Sequence, residues 1–216
     1  MSQSVKKLIL FTLSACPMGR SMKTVIEELL ACKKELAYEV VYVDVDHETT
    51  NRYRIKMNPT TLFLNGSGVE LYRIEGFKET EEVWSLFRQI EEGSLRSEAL
   101  REENREATET YTIYLFQNGN AVPVKTMVIN KTSVKAPRIT TIQQLLRTRP
   151  EGYDNPFPAD TSLERVSFHH DCCVVTLRST NEVSMEETDR MKTLLAHTLA
   201  VYGISEIKLE WMQQSN

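Results

Sequence analysis

Lys7-Leu8-Ile9-Leu10-Phe11-Thr12-Leu13-Ser14-Ala15-Cys16-Pro17-Met18-Gly19 is the stretch on which the fold turns. Val5 to Leu13 reads as an inner strand covered on both faces, since such strands show continuous apolar runs, here Leu8 to Phe11, rather than alternation. Downstream, Met22, Val25, Ile26, Leu29, Leu30 and Leu36 recur at helical spacing and predict an amphipathic helix of about four to five turns. Cys16 therefore falls where a strand becomes a helix. The unpaired N–H groups and macrodipole of a first helical turn favour a thiolate over a thiol, and Pro17 suits the first helical position because no N–H is needed there. In a Cys-x-x-Cys motif the fourth position carries a second thiol, and here it is Gly19.

The segment continues the alternation of elements. Tyr38 to Val45 is β-branched and aromatic and predicts a second strand, with Asp46 placed to cap a short helix through Tyr53. Strand, helix and strand at this spacing form a βαβ unit with parallel strands. The stretch from Ile55 to Leu64 and that from Val69 to Ile74 hold two further strands, joined by Asn65-Gly66-Ser67-Gly68, a hairpin signal. Pro59 at a strand entrance is tolerated because it donates nothing to the ladder. Thr80 can cap a last helix whose Val83, Trp84, Phe87 and Ile90 share a face and which Gly93 ends.

The order β-α-β-α-β-β-α, with Cys16-Pro17 opening the first helix and Asn58-Pro59-Thr60 opening the third strand, resembles the thioredoxin fold over about residues 5–92. The resemblance implies a central mixed sheet flanked by helices. It also implies that Pro59 is a cis-proline facing Cys16, and that Pro17, Met18, Asn58, Pro59 and Thr60 shape the binding of a polypeptide or thiol substrate. With Gly19 in place of a second cysteine, the likeness is to the monothiol members of that superfamily, in which a lone thiolate forms a mixed disulfide that a second molecule must release. Some of those members hold an iron–sulfur cluster, but their motif differs from this one, and no cofactor is expected.

The 216 residues allow one large domain or two small ones. A composition of 41% hydrophobic and 26% charged residues, without an apolar run near about 18 residues, predicts a globular chain rather than a membrane span. The net charge of −4 offers no general attraction to phosphate backbones, so no nucleic-acid partner is expected. Cys16, Cys32, Cys172 and Cys173 form no spaced disulfide framework and read as reduced thiols of a cytoplasmic protein. Lys6-Lys7 and Leu13-Ser14-Ala15-Cys16 also resemble a lipoprotein signal and its cleavage box. Cleavage there would remove the first strand, which places lipidation of Cys16 behind the folded reading.

Ser94 to Glu109 is rich in Arg and Glu with little to bury, and it marks a charged linker over 94–109 between domains at 1–93 and 110–216. The second domain opens with strands Tyr111 to Phe116 and Val122 to Ile129, then a short helix from Ile139 to Leu146 stopped by Pro150. A hairpin about His170-Asp171 follows, then a helix lined by Met191, Leu194, Leu195, Thr198, Leu199 and Tyr202, and a closing strand of Ile207, Leu209 and Trp211.

Tyr114-Leu115-Phe116 with Asn118-Gly119, Ile142 to Leu146 before Pro150, Pro158 ahead of the hairpin, and Leu194 to Tyr202 with Ile204 to Leu209 make this half resemble the GerMN domain of sporulation and spore-germination proteins. Coverage is about residues 110–212. That resemblance implies a smaller α+β domain serving docking or self-association.

His169-His170-Asp171-Cys172-Cys173 holds zinc- or copper-type ligands, but neighbouring residues on a strand face opposite ways, so no metal site is assigned. Cys32 lies sixteen residues from Cys16, roughly 24 Å along a helix, too far to resolve it, and is expected to pack beside Leu29. Trp84 and Trp211 are expected in the core. Two functional readings follow, a monothiol oxidoreductase acting through Cys16 on a protein or small-thiol substrate, and a non-catalytic assembly protein that reuses the fold as a scaffold.

Overall fold

A computed structural model describes residues 4–95 and 107–212. Most of the 94–109 linker lies outside the described residues. The chain divides into two compact units, Met1–Ala107 with Asn130–Lys135, and Thr108–Ile129 with Ala136–Asn216.

In the first unit β1 (Val5–Thr12), α1 (Pro17–Cys32), β2 (Ala37–Tyr42), α2 (His47–Arg52), β3 (Thr60–Asn65), β4 (Glu70–Glu75) and α3 (Thr80–Glu91) follow in turn. The sheet order is β2-β1-β3-β4. β1 pairs with β2 in parallel and with β3 antiparallel, which makes it an inner strand of a mixed sheet. The unbroken apolar run from Leu8 to Phe11 follows from that position. Leu8 and Leu10 join Phe63, Ile74 and the apolar stripes of α1 and α3 in one core. On the opposite face Phe11 packs its ring 5.6 Å from that of Tyr53, just past α2. Both faces of β1 are thus covered. Phe63 is fully buried, and Phe63→Ala is expected to cost about 3–5 kcal/mol, the usual penalty for emptying an aromatic core site. Thermal or urea unfolding monitored by circular dichroism measures it.

Several local expectations are corrected. The second strand ends at Tyr42 instead of Val45, because the N–H groups of Val45 and Asp46 both turn back onto the Tyr42 carbonyl, at 2.9 and 2.8 Å. α1 ends at Cys32, with Lys33 N–H closing onto the carbonyls of Leu29 and Leu30, so Leu36 is buried outside the helix. Cys32 is exposed instead of packed, since the buried stripe of α1 stops at Leu29, a turn earlier. The N-cap of α3 is Glu79, whose N–H donates to Glu82 at 3.2 Å, while the Thr80 hydroxyl donates to Glu28. Trp84 is half-buried against the core rather than within it, and Trp211 is likewise half-buried. Asp46 caps α2 as its residue type suggests, accepting from Thr49 N–H at 2.9 Å.

The second unit is sheet-rich. β5 (Ala107–Gln117) and β6 (Asn120–Asn130) form a two-stranded sheet, and β7 (Ser162–His169), β8 (Cys172–Arg178) and β9 (Glu206–Trp211) a three-stranded one, with α4 (Pro137–Arg147) and α5 (Met185–Leu199) alongside. Hairpin β7-β8 turns at His170, whose φ is 54°, and β9 pairs with β8 in parallel. Ile142, Leu145, Val175, Leu177, Leu194 and Leu195 are fully buried. The buried Thr198 hydroxyl of α5 accepts the Tyr114 N–H at 2.9 Å, tying α5 to β5.

Candidate active site

Cys16 is the N-cap of α1, with φ −75° and ψ 124°, and Pro17 holds the first helical position. The turn that delivers it is short. Leu13 carbonyl accepts from Cys16 N–H at 3.1 Å, and Asp44 anchors Ser14 through both its N–H (3.0 Å) and its hydroxyl (2.6 Å). Arg20, one turn into the helix, donates to the Ala15 carbonyl at 3.2 Å. The chain from the end of β1 to the start of α1 is therefore pinned at three consecutive residues.

The segment entering β3 meets this turn. The Asn58–Pro59 peptide bond is cis. The carboxamide of Asn58 bridges the two segments: its Oδ1 accepts the Leu13 N–H at 2.9 Å and its Nδ2 donates to Cys16 Sγ at 3.2 Å. Cysteine and proline loop thus stand together at the end of a mixed sheet of order β2-β1-β3-β4, flanked by helices on both faces. The first unit is thioredoxin-like.

No family model matches the chain, and no curated protein matches it. Among solved structures, the thioredoxin of Fasciola hepatica is similar at 24% identity, over 40% of this chain and 83% of its own, with a TM-score of 0.35. The Schistosoma mansoni thioredoxin pre-protein gives 19% identity over 41% of this chain and 81% of its own, TM-score 0.35. Chloroplastic thioredoxin z gives 20% over 43% and 83%, TM-score 0.37. The thioredoxin-like fold of the first unit lies in the strand order β2-β1-β3-β4 and in the cis-proline segment that meets the cysteine turn.

Within that corner the six residues singled out from the sequence have different surroundings. Cys16 is buried, with 4% of its surface exposed. Pro17 is half-buried, while Met18 is exposed, as is Met57 beside Asn58. Pro59 is buried, and its carbonyl accepts from Gly76 N–H at 2.7 Å. Thr60 is fully buried, and its hydroxyl is committed to the Met57 carbonyl at 2.8 Å, so it shapes the turn from within.

Two features escaped the sequence reading. One is the reach of the Asn58 side chain to Leu13 and Cys16. The other is Thr12. A Cβ built on Gly19 would stand 1.8 Å from Thr12 Oγ1 and 2.7 Å from Thr12 Cβ. Gly19 is required by this approach, because α1 crosses the end of β1 with no room for a side chain. A glycine inside a helix, where it costs about 1 kcal/mol relative to alanine, was the available signal.

The other sulfur cluster is arranged differently. Cys173 is buried and Cys172 half-buried, as alternation along β8 requires. Burial pushes the Cys173 thiol up to about 12. The neighbouring Asp171 accepts from the Ser205 hydroxyl at 2.8 Å, which holds its carboxyl below the usual range. Among the described residues no three His, Cys, Asp or Glu side chains converge as metal ligands. No helix among them is long and apolar enough to cross a membrane.

Proposed function

We propose that the first unit is a thioredoxin-family redox module working through one nucleophilic thiol, Cys16, and that the second is a GerMN-like docking or self-association domain. The observation that carries the single-thiol reading is the packing of Gly19 on Thr12. In a two-thiol version of this motif, residue 19 supplies the sulfur that attacks Cys16 in its mixed disulfide. Here the place of that side chain's first carbon is filled by a buried threonine at the end of an inner strand. The motif lacks a second sulfur and also the space for one.

The reaction then needs an external thiol. Cys16 as thiolate attacks one sulfur of a substrate disulfide; a new bond forms to Sγ, the substrate S–S bond breaks, and the departing thiolate takes a proton from water. A low-molecular-weight thiol, as thiolate, next attacks the mixed disulfide at the substrate's sulfur. This frees Cys16 and leaves the substrate disulfide-bonded to the small thiol, whose reduction by a second such molecule completes the turnover. Met18 and Met57, exposed on either side of the corner, offer adaptable apolar contacts to a chain laid across it.

Burial of Cys16 favours the second reading, in which the corner is a scaffold and the thiol is packing. The exposed Cys32 separates the two in one tube. The native chain treated with a small aromatic disulfide near neutral pH is expected to acquire its first adduct on Cys16, ahead of the more accessible Cys32, as read by peptide mass spectrometry. If Cys32 reacts first and Cys16 only on unfolding, the redox reading falls and the scaffold reading stands.

A further inference from the structure

Asn58 reaches Cys16 with a carboxamide whose orientation the structure fixes. The Leu13 N–H can only donate, so the atom facing it at 2.9 Å is the oxygen, and the nitrogen is thereby turned onto Sγ at 3.2 Å. An N–H donor binds an anionic acceptor roughly twice as strongly as a neutral one, so it favours the thiolate. We propose that Asn58 is the positioning residue for Cys16: its side chain, clamped by the end of β1, aims a hydrogen bond at the sulfur, holds it in one direction and stabilises its anion. The proposal deepens the reading of Cys16 as a nucleophile and rests on it for its purpose, though the geometry stands by itself.

The bridge also links two distant parts of the chain. Residues 13 and 58 belong to segments that meet only because β3 lies against β1, so the sulfur's direction is set by the sheet as well as by its own loop. Other charged groups meet this corner from two sides. Arg20 comes from α1 and sits on the Ala15 carbonyl; Asp44 comes from the segment after β2 and sits on Ser14. Both are unaltered when Asn58 is replaced.

Asn58→Asp provides the sharp test, since it preserves size and the acceptor for Leu13 while putting a carboxylate oxygen where the donor was. The rate of Cys16 alkylation by iodoacetamide is followed from pH 5 to 9 by peptide mass spectrometry, with Cys32 as internal reference and thermal unfolding monitored by circular dichroism as the check on folding. In Asn58→Asp the pH–rate profile of Cys16 is expected to move to higher pH, with the rate at pH 7 lowered about ten-fold. Asn58→Ala, which removes the donor without adding charge, is expected to lower it about five-fold. Should Asn58→Asp abolish the cooperative unfolding transition, Asn58→Ala alone decides. Profiles identical to that of the native chain, with the unfolding transition intact, overturn the proposal. A native chain that forms no mixed disulfide on Cys16, while the Asn58→Asp profile still moves, overturns the redox reading and leaves the positioning role standing.

Discussion

Gly19→Cys, which on paper completes a Cys-x-x-Cys motif, is expected to destabilise the first unit and to give no disulfide with Cys16. The obstacle is the first carbon rather than the sulfur. Any Cβ at position 19 lies 1.8 Å from Thr12 Oγ1 and 2.7 Å from Thr12 Cβ, far inside van der Waals contact. Thr12 is buried at the end of an inner strand and cannot swing clear, so α1 or β1 must shift. Overpacking of this kind costs about 1–3 kcal/mol, a fall in Tm of at least several degrees for a unit of this size.

Gly19→Ala is the control and should fail in the same direction. On an open helical surface that change stabilises by up to about 1 kcal/mol, so the sign of the effect identifies the clash. Relief should be graded at position 12. Thr12→Ala removes the nearest atom but leaves the Cβ at 2.7 Å, whereas Thr12→Gly removes both. The double variant Thr12→Gly with Gly19→Cys is therefore expected to be more stable than the sum of its single changes implies. On mild oxidation its Cys16 should join the introduced thiol, with the loss of two hydrogens read by intact-mass measurement. Gly19→Cys that is as stable as the native chain and oxidises readily would show that the position is vacant by sequence alone.

Cys16→Ser carries the other large effect. A serine hydroxyl can still accept from Asn58 Nδ2 and cap α1, so the fold is expected to be preserved within a few tenths of a kcal/mol at most of its native stability. Mixed-disulfide formation at position 16, by contrast, should be abolished, because the serine oxygen neither ionises near neutral pH nor forms a stable bond to sulfur. A native lysate treated to capture mixed disulfides should yield adducts on the native chain that vanish from Cys16→Ser. Adducts that persist at equal yield would assign the capture to Cys32 or Cys172 and remove Cys16 from the chemistry. The same variant addresses the scaffold reading, under which partner binding and oligomeric state are unchanged.

How far these features could be read from residues alone depends on whether they are periodic or contingent. The apolar run before Cys16 and the stripe of α1 are periodic, and each marks its element because burial on one or two faces leaves a regular imprint. Element ends are less legible. Tyr42 ends β2 although Val43 and Val45 have strand-forming side chains, because two N–H groups fold back onto one carbonyl. Leu36 continues the helical spacing by coincidence, since it is buried after the chain has turned at Lys33. Cys32 sits on the face expected to be covered, but the covering ends at Leu29.

The site divides in the same way. Cys16 and Pro17 are neighbours in sequence and carry the imprint of a helix start. Thr12 with Gly19 and Asn58 with Cys16 are pairs made by tertiary approach. Nothing in the spacing of residues 12 and 19, or of 16 and 58, announces that a helix crosses a strand end without clearance or that a carboxamide will reach a sulfur. In each case an unusual residue type was visible, a glycine within a helix and an asparagine before a strand, but its partner was not.

The antiparallel pairing of β1 with β3 has a kinetic side. β1 and β2 are joined by one short crossover and can associate early, while β3 must find β1 across about fifty intervening positions, a non-local contact of the kind that slows folding. Until it does, Cys16 has its loop but no Asn58. A newly made chain thus carries an uncommitted sulfur during the interval when stray disulfides are most damaging, and its thiol takes on its folded surroundings only as the sheet closes. Alkylation of Cys16 during refolding would time the docking of β3.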